Sequence, residues 1–253
     1  MRIKPTEQIY ENYTPEDFAV WKKLFQRQMV NLNKYACGYY LDALDVIGFS
    51  ADKIPDFTEV NTILMPLTGW RLIVAKELVP NEIFFSLLAD RIFPATCWLR
   101  SMEELDYIEE PDMFHDVYGH IPLLTHPDYA DFMASLGRIA LRHIHEPDII
   151  NLLSRVYWYT IEFGMITEEG KSKAFGAGIM SSVSEIVHSI GNQSRKKSFD
   201  IHDMIHLPYR TDILQPVYFV IDSYEHLIRS SGEIEKALEA VQSGMVKMGF
   251  NDC

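Results

Sequence analysis

Along most of the chain, apolar side chains recur at every third or fourth position, the spacing that lines one face of a helix. The first such run is Phe18, Trp21, Phe25 and Met29. It opens on Thr14-Pro15-Glu16-Asp17, where a hydroxyl can cap, Pro fits the first turn and two carboxylates meet the positive helix end. Similar patterns predict helices over 35–47, stopping at Gly48, and over 57–67, stopping at Gly69. Further helices are expected over 81–91, 111–119, 127–136, 149–163, 181–190 and 224–246. Short β-rich runs at 71–75, 96–99 and 217–221 predict strands. The fold class is therefore mainly α with a few short β-strands. No repeat or Gly/Ser-rich linker divides residues 1–253, so one domain is expected.

At 253 residues and 47% hydrophobic composition, the chain can bury about 73% of its unfolded surface, enough for a large core. Its 23 basic against 36 acidic residues leave a net charge of −13. Such a field repels phosphate backbones and anionic headgroups, so no nucleic-acid or membrane partner is expected. No apolar stretch approaches membrane-spanning length, and no apolar segment follows the basic start. Cys37, Cys97 and Cys253 are odd in number and lack a Cys-x-x-Cys spacing. They argue against a disulfide framework or thiolate zinc site and for the reducing cytoplasm.

Nine histidines offer three groupings. His115 and His120 lie five residues apart, and five helical steps turn about 500°, or about 140° net. A shared ligand therefore requires a departure from the ideal helix. Gly119 and Pro122 could supply it by ending the helix, or a π-bulge could bring positions five apart into line. His202 and His206 share a helical face and give an alternative, a zinc-dependent hydrolase, although Asp203 is shorter than the usual Glu and Pro208 follows closely. His143 and His145, ahead of Pro147, read as solvated surface. Glu162 stands in the aromatic run Tyr157-Trp158-Tyr159-Thr160-Ile161-Glu162-Phe163. A carboxylate buried there must be paired, protonated or bound to a cation. Two imidazoles and one carboxylate with open positions suit non-haem iron(II).

Ordered motifs carry a resemblance beyond this pattern. They are Thr68-Gly69-Trp70-Arg71, Phe84-Phe85 with Phe93-Pro94, Glu110-Pro111-Asp112-Met113-Phe114-His115-Asp116-Val117-Tyr118-Gly119-His120-Ile121-Pro122, the 157–164 run, Ala174-Phe175-Gly176-Ala177-Gly178 with Ser181-Ser182, and Gln215-Pro216-Val217-Tyr218-Phe219-Val220. Over about residues 10–230 the chain resembles the tetrahydropterin-dependent aromatic amino acid hydroxylases, and within them the short bacterial phenylalanine 4-hydroxylases.

The resemblance implies a single hydroxylase catalytic domain without regulatory or tetramerisation modules, a monomer that converts L-phenylalanine to L-tyrosine in phenylalanine catabolism. It implies Fe(II), a tetrahydropterin (tetrahydrobiopterin or a bacterial equivalent) and dioxygen as co-substrate. His115, His120 and Glu162 would be the iron ligands. Leu78, Val79, Phe84, Asp116 and Tyr157 would face the pterin. Arg100 would grip the substrate carboxylate, with Pro111, Trp158, Phe163, Gly178 and Ser181 around the amino acid. A non-catalytic metal-binding relative that kept the fold is the remaining alternative.

Overall fold

The protein's structure, a computed structural model, describes residues 4–244. Helix α1 (Pro15–Tyr35) begins where local chemistry says it should. Thr14 accepts from the Asp17 amide, Asp17 accepts in return from Thr14, and Pro15 fills the first turn. The chain then breaks at Ala36-Cys37 before α2 (Gly38–Ile47), so the predicted helix over 35–47 is two elements. The break is tertiary: the Cys37 amide donates to Ala174 O at 2.9 Å. Gly48 ends α2 at φ +74°, and Gly69 ends α3 (Phe57–Thr68) at φ +76°.

Strand β1 (Arg71–Val74) leads through α4 (Asn81–Ala89) to β2 (Ile92–Ala95), which pairs with it in parallel. The strand expected at 96–99 therefore lies a few residues earlier. Helix α5 (Pro127–Arg142) runs well past its predicted end and is buried on most sides from Tyr129 to Ala140. Helix α6 (Pro147–Tyr157) passes directly into a wider-wound segment, so the expected helix 149–163 has two parts.

Strands β3 (Met165–Glu168) and β4 (Lys171–Ala174) form an antiparallel hairpin that the apolar pattern did not signal. Two short helices, α7 (Ala177–Met180) and α8 (Val183–Ile190), follow, the second capped by Ser182. Then come β5 (Arg195–Ser198), α9 (Ile201–His206), β6 (Val217–Ile221) and α10 (Tyr224–Gln242). The second sheet has the order β4-β3-β6-β5. The last helix ends at Gln242 with Ser243 and Gly244 in a turn, short of the end expected at Val246, which itself lies outside the described residues.

One hydrophobic core joins all these elements except β5, and it includes the rings of Trp21, Phe114 and Tyr118, which pack within about 6 Å of one another. Helices α4 and α5 approach each other closely. A Cβ at Gly137 would lie 2.3 Å from Ala89 N and 2.7 Å from Phe85 O, both rigid backbone atoms. Gly137→Ala should force these helices apart and lower stability by about 3 kcal/mol. Thermal unfolding should show this as a fall of roughly 6–12 °C.

Candidate metal centre and its cavity

Two short π-helices build the centre. Phe114–Gly119 forms the first and Trp158–Glu162, continuing α6, forms the second. Of the two departures open for the His115–His120 spacing, the wide winding is the one present. Bonds from i to i+5 bring positions five apart onto one side. In the second segment, Phe163 N donates to Trp158 O at 2.9 Å, which leaves Glu162 facing the two histidines. His120 Nε2 lies 3.1 Å from Glu162 Oε1, and His115 Nε2 lies 3.6 Å from Glu162 Oε2. The three ligand atoms all lie within 4.8 Å of one another.

The donor set fits a cation. Ser181 Oγ spends its single proton on Ala177 O (2.8 Å), so its 2.9 Å contact with His115 Nδ1 requires that nitrogen to donate. In the neutral ring His115 Nε2 is then the nitrogen with the lone pair, and it faces a Glu162 oxygen, an arrangement that suits a positive ion between them. His120 is buried, and its Nδ1 has no hydrogen-bond partner among the described residues. Burial pushes the Glu162 carboxyl upward, but His120, His115 and the Tyr157 hydroxyl outweigh it and hold the group below its ordinary value.

Around the three ligands opens a cavity of about 230 Å³. Leu78, Val79, Phe84, Asp116, Tyr157, Pro111 and Trp158, all picked out from the sequence, line it. Leu78 is 75% exposed at this site, an apolar side chain without cover. Phe84 packs edge-on against Tyr157 at 5.4 Å. Asp116 accepts from Thr96 N (2.7 Å) and Thr96 Oγ1 (2.8 Å), and burial holds its carboxyl above the ordinary value.

Arg100, Phe163, Gly178 and Ser181 stand behind the lining. Phe163 packs on Trp158 at 4.5 Å, and Gly178 is where Phe163 comes closest: a Cβ there would sit 2.6 Å from Phe163 Cζ. Arg100 is buried, with Nε and Nη2 on the two oxygens of Asp112 at 2.9 and 2.8 Å. Asp112 also accepts from the amides of Arg100 (2.9 Å) and His115 (3.2 Å), tying the guanidinium to a ligand-bearing segment. Tyr209, Thr96 and Phe93 also line the cavity. No motif drew attention to Tyr209, an aromatic beside Pro208 in an irregular stretch.

The competing histidines do not assemble. His202 and His206 share a face of the short helix α9, with ring centroids 4.3 Å apart, but Asp203 is paired with Lys197. Among the described residues, the group able to hold an ion is His115, His120 and Glu162. His143, expected on the surface, is buried and bonds to Glu146 Oε1 at 3.0 Å, whereas His145 is exposed.

The profile of the biopterin-dependent aromatic amino acid hydroxylases matches residues 2–241, and the chain belongs to that family. It is 42% identical over 222 residues to the phenylalanine-4-hydroxylase of Ralstonia nicotianae, covering 87% of this chain and 71% of that one. The Pseudomonas aeruginosa phenylalanine-4-hydroxylase is 38% identical over 245 residues, covering 96% and 92%. Among solved structures, Chromobacterium violaceum phenylalanine hydroxylase with bound oxidised Fe(III) superposes with a TM-score of 0.89 at 36% identity, covering 99% and 91%.

The Arg100–Asp112 pair has a testable pH signature. Burial alone would raise the Asp112 carboxyl; the guanidinium outweighs it and lowers the group below its ordinary value, about 3.9. The pair's contribution is therefore complete above that value and is lost as pH falls through the folded-state value. Arg100→Met, which leaves Asp112 buried and unpaired, should cost about 3–5 kcal/mol at pH 7. Urea unfolding at pH 7 and pH 3 should show the gap to wild type narrowing at the lower pH.

Proposed function

We propose that this chain hydroxylates the ring of L-phenylalanine to give L-tyrosine, using iron(II), a tetrahydropterin and dioxygen. His115, His120 and Glu162 would hold the metal. The observation that carries this reading is the convergence of their ligand atoms within 4.8 Å at an aromatic-lined cavity. When bound, the ferrous ion and the reduced pterin supply the electrons that activate dioxygen for insertion of one oxygen atom into the ring.

The chain's own residues bind and orient. Two neutral imidazoles and one carboxylate leave coordination positions open to the cavity. Phe84 offers a ring on which a flat heterocycle can stack, adding about 0.5–1.5 kcal/mol beyond buried area, with Leu78, Val79, Tyr157 and Asp116 beside it. Pro111 and Trp158 form walls for the substrate ring, with Phe163 and Gly178 behind Trp158. Arg100, pre-oriented by Asp112, can meet the amino-acid carboxylate with the nitrogen outside that pair, Nη1. Ser181 fixes the His115 ring.

The same reading places the enzyme in the cytoplasm as a monomer. The two described cysteines, Cys37 and Cys97, are buried and free, which suits a reducing compartment. No helix among the described residues is long and apolar enough to cross a membrane.

Anaerobic loading with Fe(II), then mass analysis of products from phenylalanine, tyrosine and tryptophan with tetrahydropterin, tests the proposal. Wild type should make tyrosine from phenylalanine. Glu162→Gln or His115→Ala should lose both stoichiometric iron and product, while His202→Ala keeps both. Loss on His202→Ala alone would point to the hydrolase, and an iron-loaded wild type that makes no tyrosine would remove the hydroxylase reading.

A further inference from the structure

Trp158 reaches the cavity from the second π-helix, but what fixes its indole lies outside the cavity. Its Nε1 donates to Gln215 Oε1 at 3.0 Å. Gln215 is 2% exposed, and its Nε2 donates to Arg210 O (2.8 Å) and Ile213 O (2.9 Å). The orientation of the carboxamide follows from chemistry. An indole N–H can only donate and a carbonyl can only accept, so the amide oxygen must face Trp158 and the amino group must face the two carbonyls.

Those carbonyls belong to residues 207–216, a connection between α9 and β6 with no helix or strand. Among the described residues, none of 208–214 makes a backbone–backbone hydrogen bond. Side chains hold this segment instead: Gln215 at two carbonyls and the Tyr159 hydroxyl at Pro208 O, 3.1 Å away. The segment presents Tyr209, whose ring stacks on Trp158 at 4.2 Å and 12°, and both rings line the cavity. Gln215 is itself anchored. Its amide donates to the buried Glu185 at 3.1 Å, its carbonyl accepts from His188 Nε2 at 3.0 Å, and the Tyr218 hydroxyl bonds to the same Glu185 oxygen.

We infer that Gln215 is a positioning residue that sets substrate-ring selectivity, because one carboxamide fixes both the Trp158 wall and the segment carrying Tyr209. It touches no substrate. It acts through Trp158, and no other side chain supplies one acceptor and two donors at that reach: Leu supplies neither, Glu lacks the donors and Asn is one methylene shorter. The inference rests on the hydroxylase reading of the cavity.

A double-mutant cycle on the iron-loaded enzyme tests it, with Gln215→Leu, Trp158→Phe and the combination. The readouts are KM and kcat for phenylalanine, turnover of tryptophan, and the phenylalanine Kd by calorimetry. Gln215→Leu should raise KM and Kd about tenfold, leave kcat within about threefold, and narrow the preference for phenylalanine over tryptophan. In the Trp158→Phe background the same change should shift KM and Kd clearly less than in wild type, since the indole bond is already gone and only the two bonds to Arg210 O and Ile213 O remain to be lost.

Equal shifts in both backgrounds, or a lowered melting temperature with KM and Kd unchanged, would overturn the inference. Should Gln215→Leu not fold, Gln215→Asn goes through the same cycle under the same criteria. If wild type makes no tyrosine, the functional reading fails by itself, and the calorimetric cycle still decides the role of Gln215.

Discussion

Two imidazoles five residues apart can meet one ion only if the backbone between them is wound more widely than an α-helix. The segment Phe114–Gly119 is wound that way, and Trp158–Glu162 repeats the device to bring in a carboxylate 42 residues after His120. Wide turns are poor helix on their own, and both are held by surroundings that leave them little freedom. Phe114, Val117 and Tyr118 are buried in the core, and Tyr159, Thr160 and Ile161 are buried likewise. Packing of the whole molecule thus maintains a local geometry that the isolated segments would not keep.

The same surroundings couple the candidate metal centre to the rest of the cavity. Asp112 carries the Arg100 guanidinium and the His115 amide on one carboxylate, so the group proposed to grip the amino-acid end is fixed relative to a proposed ligand. Ser181 sets the His115 tautomer through a second bond to Ala177. On the far side, Gln215 ties Trp158 to a connection in which, among the described residues, 208–214 make no backbone–backbone hydrogen bond. Distances between reacting groups are then set by buried charge-assisted or fully used hydrogen bonds, which tolerate little displacement.

Features governed by neighbours in sequence were the legible ones. The Thr14 cap with Pro15, the left-handed glycines at 48 and 69, and the β-rich run at Val217–Ile221 all lie where the pattern puts them. Elements that exist only by pairing were not legible. Arg195–Ser198 has no apolar residue and is a strand because β6 lies beside it, and Ile92–Ala95 contains Pro94, which argues locally against a strand. The spacing of His115 and His120 demanded a non-ideal helix but left its kind open. The Arg100–Asp112 pair and the tether at Gln215 span 12 and 57 residues, and no periodic pattern records such partners.

The most direct test of the account is a crystal of the Fe(II)-loaded protein measured with anomalous scattering at the iron edge. The account predicts one strong peak bounded by His115 Nε2, His120 Nε2 and a Glu162 oxygen, about 2.0–2.2 Å from each. A fully loaded crystal with no peak there, or with its peak between His202 and His206, would contradict it.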